Sequence, residues 1–198
     1  MHWRVRPDVL RICGDFEFRP VLIVRHPLDV LISVLHFCTF EPATRHWLNG
    51  ESGDETAIYG KDPGDAAFAA YATGPRAAAL LAVSVEWMRR GAPWVRFEDL
   101  VARPEIELAA FLKQLPATPV RPLAEVIDAN TLEKSRPTAN NQHFWQGQPG
   151  IWTRLIGKEL AARIQRAHAD VFQSLGYGIG EAGTPAPEEI RRLWSTIA

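Results

Sequence analysis

The stretch Pro20-Val21-Leu22-Ile23-Val24-Arg25-His26-Pro27-Leu28-Asp29-Val30-Leu31-Ile32-Ser33 changes its hydrophobic rhythm at Arg25. Its first five residues form a continuous apolar run rich in β-branched side chains, which predicts a strand buried on both faces of a parallel sheet. After Pro27, the residues Val30, Leu31, Val34, Leu35 and Cys38 recur at helical spacing, which predicts a helix over Leu28 to Phe40 with proline in its first turn. Arg25 is thereby placed where a parallel strand ends and a helix begins, the position at which open α/β sheets bind ligands. A guanidinium grips phosphate bidentately, a helix N-terminus adds amide donors, and a hydroxyl in the first turns adds another bond. Arg25 and Ser33 supply the first and last of these. The same residues are equally accounted for by a structural Arg25 paired with Asp29 and a Ser33 that caps nothing.

Outward from this stretch, residues 41–65 turn polar and glycine-rich and predict a long surface excursion. Alanine-rich residues 66–90 predict a helix or two broken near Gly74-Pro75, and Pro93 to Phe97 a second strand. Further helices are predicted over Pro104 to Leu115, Pro122 to Ala129, Lys158 to Leu175 and Glu188 to Ile197. Between the second and third of these, residues 134–150 are polar, aromatic and turn-rich. Strands alternating with helices argue for an α/β layer fold in one domain over residues 1–198, although only two or three strands are found.

Composition narrows the function classes. Lys+Arg 22 against Asp+Glu 23 gives a net charge of -1, so no bulk basicity argues for a nucleic-acid coat or an anionic membrane surface. An anion site has to be local. Cys13 and Cys38 lack the spacing of a disulfide framework or zinc knuckle, which predicts reduced thiols and a cytoplasmic compartment. No run approaches the roughly 20 apolar residues of a membrane span, and no signal-peptide core follows Arg4 and Arg6. His36, His46 and His168 are scattered without metal-ligand spacing, so no metal is expected. His143, Trp145 and Trp152 form an aromatic cluster that binds an acceptor or fills core. Arg163, Arg166, Arg191 and Arg192 read as solvated helix faces, and no Gly-x-Ser-x-Gly elbow marks a hydrolase.

Arg25, Pro27, Asp29 and Val30, with Ser33 eight residues after the arginine, resemble the 3′-phosphate-binding signature of sulfotransferases that use 3′-phosphoadenosine-5′-phosphosulfate. Three further segments follow in the same chain order. Val95-Arg96-Phe97-Glu98-Asp99-Leu100 with Arg103-Pro104 is similar to that family's structural strand-to-helix element. Gly147-Gln148-Pro149-Gly150-Ile151-Trp152 resembles its Gly-x-x-Gly-x-Trp closing loop, and Leu175-Gly176-Tyr177 its final Leu-Gly-Tyr. The resemblance covers about Met1 to Tyr177, counting His2 below. The resemblance implies a three-layer parallel sheet flanked by helices, of the P-loop nucleotide-binding type. It also implies Arg25 and Ser33 on the 3′-phosphate, with the loop around Gly147 closing over the nucleotide. His2 precedes Arg25 by 23 residues, close to the interval of the family's general base, and an imidazole is suited to take a hydroxyl proton near neutral pH. The partner so implied is a small-molecule acceptor with a hydroxyl or amine, with neither nucleic acid nor membrane.

Two departures bear on activity. The chain contains no Gly-x-x-x-x-Gly-Lys-Ser/Thr and no Lys-x-Gly-Thr-Thr cradle for the 5′-phosphosulfate. The expectation is an N-terminally truncated domain, its carboxy-terminal two-thirds. In the closing loop, Trp145-Gln146-Gly147 stands where the family carries Arg-Lys-Gly. Gln146 donates neutral hydrogen bonds, about half as strong as charge-assisted ones, while Arg154 or Lys158 offers a substitute charge and Trp145 covers the adenine or fills core. The leading expectation is a sulfotransferase. The alternatives are a catalytically inactive binding or interaction domain and, last, a nucleotide kinase of related architecture.

Overall fold

Among the described residues five helices begin on a proline, whose fixed φ and missing N–H suit the first helical position. In the computed structural model, which describes residues 4–40, 54–116, 118–135, 147–180 and 183–197, these are α1 (Pro7–Asp15), α2 (Pro27–Phe40), α4 (Pro75–Met88), α6 (Pro104–Leu112) and α12 (Pro187–Ile197). Between them lie β1 (Leu22–Val24), a 3-10 turn (Asp54–Ile58), α3 (Ala66–Ala72), β2 (Trp94–Arg96), α5 (Phe97–Ala102), α7 (Leu123–Ala129), α8 (Leu132–Ser135), α9 (Trp152–Leu155), α10 (Lys158–Ala167) and α11 (Ala169–Leu175). Helix dominates, with a small parallel sheet. The described residues fall into two compact units.

The first unit takes residues 4–25, 82–116, 118–135 and 147–149. Its sheet pairs β1 with β2 in parallel, Leu22 opposite Trp94, Ile23 opposite Val95 and Val24 opposite Arg96. The Leu22 N–H donates to the Pro93 carbonyl at 3.0 Å. Val9, Val83 and Trp87 form its core, with Val5, Leu10, Cys13, Leu22 and Ala92 against them. Helix α1 lies outside the sequence expectation, although Pro7 at its start and Val9, Leu10 and Cys13 at helical spacing encode it. The expectation of a strand covered on both faces is corrected. Val24 is fully buried, but Ile23 is 63% and Val21 47% exposed. Alternation sends successive side chains to opposite faces, and only one face of β1 is covered among the described residues.

The second unit takes residues 26–40, 54–81, 150–180 and 183–197. Helix α2 is apolar nearly all round and therefore buried: Leu28, Leu31, Ile32 and Leu35 have no exposed surface. The expected stripe instead included Val30 and Val34, which are only half-buried. The break between α3 and α4 falls at Thr73-Gly74, as expected. A Cβ on Gly74 would lie 2.9 Å from the Ala70 carbonyl oxygen, so glycine lets the chain bend by 44° at the break before Pro75 restarts the helix. The single helix predicted over Lys158 to Leu175 is two. His168 leaves helical geometry at φ −123° and ψ 36°, and its buried imidazole Nε2 bonds the Ala72 carbonyl at 2.8 Å. Part of the predicted surface excursion is likewise core, since Ile58 is fully buried.

Both cysteines are free thiols, Cys13 half-buried and Cys38 buried. Burial, then the Glu55 carboxylate, pushes the Cys38 thiol up to about 12, which leaves it protonated and inert at neutral pH. His36 sits beside Phe40 and Trp194, and burial holds its imidazole down at about 4 instead of 6.5. The unfolded chain binds this proton more readily than the folded one, so stability is full above pH 6.5 and falls as pH drops toward 4. His36→Leu is expected to lose less stability than the parent between pH 7 and 5, measured as urea midpoints. An equal loss overturns the assignment. Among the described residues no single helix is long and apolar enough to cross a membrane.

Candidate functional site

Asp29 occupies the third position of α2 and has no exposed surface. Its Oδ2 accepts from the Gly150 N–H at 2.6 Å and its Oδ1 from the Trp152 N–H at 3.0 Å. A buried carboxylate persists where hydrogen bonds and a helix N-terminus replace its hydration. Gly147 and Gly150 have φ of +61° and +79°, in the left-handed region that side chains disfavour. Thr153 adds a bond from Oγ1 to the Gly150 carbonyl at 2.8 Å.

His26 is the N-cap of α2. Its carbonyl accepts the first helical bond, from Val30 at 3.1 Å, and its ring Nδ1 accepts from the Leu28 N–H at 3.2 Å. With Nδ1 an acceptor, the proton is on Nε2, which donates to the Gly178 carbonyl at 3.0 Å. The ring stacks on Trp152, centroids 4.9 Å apart and planes at 18°, with Tyr177 and Phe172 edge-on at 5.1 and 5.8 Å. Gly176 ends α11 in the left-handed conformation; its N–H bonds the Gln173 carbonyl, and the Tyr177 N–H bonds that of Phe172. This Schellman turn presents Tyr177 to the cluster. Residues singled out near 26–29, 150–152 and 175–178 thus converge within one unit, although more than 120 positions separate the first two segments.

In the first unit, the Arg25 guanidinium lies 4.6 Å above the Phe97 ring and donates through Nη2 to the Gln148 carbonyl at 3.0 Å. The ring and the carbonyl fix where this cation points. Ser33 is half-buried on the second turn of α2. His2, Trp145 and Gln146 lie outside the described residues, as do His46 and His143; Gly147 lies inside them. No cluster of three metal-ligating side chains occurs among the described residues. A cleft of about 200 Å³ beside β2 is lined by Trp94, Arg96, Asp99, Glu107 and Phe111, and Arg103 already bridges its two carboxylates.

Sequence reasoning missed His26 and the participation of Phe97. A side chain with a ring acceptor directly before a helix-opening proline was the available signal for His26. Phe97 follows β2 by one residue, so any side chain at the end of β1 has it as a neighbour.

No family model, curated protein or solved structure matches this chain.

Proposed function

We propose that this chain is a sulfotransferase-like domain that binds 3′-phosphoadenosine-5′-phosphosulfate through its 3′-phosphate, within a larger three-layer sheet of the P-loop type. The observation that carries the reading is the pair of bonds from Gly150 and Trp152 to Asp29. They tie the Arg25-to-Ser33 segment's own helix to the Gly-x-x-Gly-x-Trp segment, two stretches that both resemble the same family. The convergence of His26, Trp152 and Tyr177 adds a third.

In this reading the chain's own residues serve one end of the nucleotide. Arg25, aligned by Phe97 and Gln148, offers a planar donor fork to a phosphate, and Ser33 offers a hydroxyl. His2 takes the acceptor proton in this reading, and Trp145, Gln146 and Gly147 cover the nucleotide. The bound nucleotide supplies the sulfuryl group for transfer to a hydroxyl or amine. No metal enters, and the small-molecule acceptor is the only partner invoked. Trp145-Gln146-Gly147, standing where the family carries Arg-Lys-Gly, favours a second reading, in which a domain of this fold binds nucleotide or a partner without catalysis.

Calorimetric titration with 3′-phosphoadenosine-5′-phosphate tests the first reading. Arg25→Ala or Ser33→Ala is expected to weaken binding by about 1.5–3 kcal/mol, the range for a hydrogen bond to a charged group. Absence of binding by the folded parent chain, or binding indifferent to both substitutions, sinks it.

A further inference from the structure

Helix α1 ends in a Schellman turn, in which the Phe18 N–H bonds the Cys13 carbonyl at 2.9 Å and the Glu17 N–H the Gly14 carbonyl at 3.3 Å. The left-handed position of such a turn normally takes glycine, and here it takes Glu17, at φ +54°. Glycine would close the helix at less cost, so the glutamate calls for another reason. The apolar residue after it ordinarily packs back on the helix, yet Phe18 is 59% and Phe16 66% exposed. Their rings stack on each other instead, centroids 5.7 Å apart and planes at 21°. Val21 and Ile23, next along the chain, add the uncovered face of β1. Four apolar side chains within eight residues of the first unit thus meet water. They leave roughly 400 Å² open, the size of patches that mark interaction sites.

The charges beside the rings say what covers them. Glu17 and Arg19 flank Phe18, both are exposed, and among the described residues neither makes an ion pair, whereas Asp15 is already held by Arg11 at 3.1 Å. An acid and a base on either side of one apolar residue are complementary to their own image. A two-fold apposition of Phe18 on Phe18 of a second copy runs the segments antiparallel and brings Glu17 of each opposite Arg19 of the other. We infer that this face is the contact between two copies of the chain, with the stacked phenylalanines at its centre and reciprocal Glu17–Arg19 pairs beside them. Glu17 then stands in a conformation that suits glycine because its carboxylate is used across the two-fold. With the flanking charges the pair buries about 1,000 Å², short of the ~1,200–2,000 Å² of stable complexes, so the dimer is weak and forms at micromolar concentration. It is independent of the nucleotide-binding reading.

Sedimentation velocity on the full chain between about 1 and 200 µM is expected to show a monomer–dimer equilibrium. Phe18→Asp, at an exposed position, should keep the circular dichroism spectrum and stay monomeric throughout. The charges supply the stricter test. Arg19→Glu sets two like-charge pairs across the two-fold, as does Glu17→Lys, and each alone is expected to weaken the dimer about tenfold or more. Mixed in equal amounts, the two variants re-form both opposite-charge pairs and should recover the parental affinity within about threefold. A parent chain that stays monomeric overturns the proposal and leaves the face to another molecule. Parental dimerisation by Phe18→Asp overturns it too, as do a mixture no tighter than its components and a parent that forms ever larger species in place of a dimer. Should either charge variant not fold, Phe18→Asp decides.

Discussion

Replacing Trp152 by alanine is expected to lower the unfolding free energy by about 3–5 kcal/mol, the range for truncating a large buried aromatic side chain. The indole is almost wholly enclosed and stacks on His26 at 4.9 Å. It follows directly on a turn held by Asp29 through the Gly150 and Trp152 N–H groups. Truncation removes apolar area, opens a cavity, and takes away the surface on which the His26 ring rests. Domains of ordinary stability carry only about 5–15 kcal/mol in total, so the second unit should unfold at markedly lower urea. Trp152→Phe keeps a ring and is expected to cost under about 1.5 kcal/mol. Urea titration followed by near-ultraviolet circular dichroism checks both. A cost below about 1 kcal/mol for the alanine variant means that the enclosed stack does not exist in solution.

Local structure was legible where a residue's own chemistry sets it. Proline at the start of α2, the apolar run of β1, the break at Gly74 and the glycine stop after α11 are encoded within a few neighbouring residues, and sequence reading places each within a few positions. Burial was less legible, because it depends on what arrives from elsewhere. Nothing near Ile23 says that its face of β1 goes uncovered among the described residues, and nothing near His168 says that a carbonyl from Ala72 will draw the imidazole in and interrupt a helix. The candidate site divides in the same way. Arg25 and Ser33 follow from a strand-to-helix junction, whereas the connection from Asp29 to Gly150 and Trp152 spans more than 120 residues and leaves no periodic trace. Its two ends were visible separately, Asp29 and the Gly147 to Trp152 segment each as part of a motif resembling one family.

His26 is the residue that most clearly separates a helix cap from a packing element, and substitution there should resolve the two. His26→Ala is expected to cost about 1–2.5 kcal/mol, from a lost cap of about 1 kcal/mol and a lost ring contact of about 0.5–1.5 kcal/mol; the carbonyl of the exposed Gly178 is resolvated by water. These do not add fully, because Trp152 settles into part of the space. His26→Asn restores a side-chain acceptor for the Leu28 N–H and should recover about 1 kcal/mol, the capping share alone. The Trp152 contact adds a stricter requirement. Residues that touch are coupled, so the His26→Ala, Trp152→Ala double variant should lose less than the sum of the two by about 0.5–1.5 kcal/mol. Urea unfolding of the four proteins closes that cycle. Strict additivity would place the imidazole and indole apart, and with them the segments that begin α2 and α9.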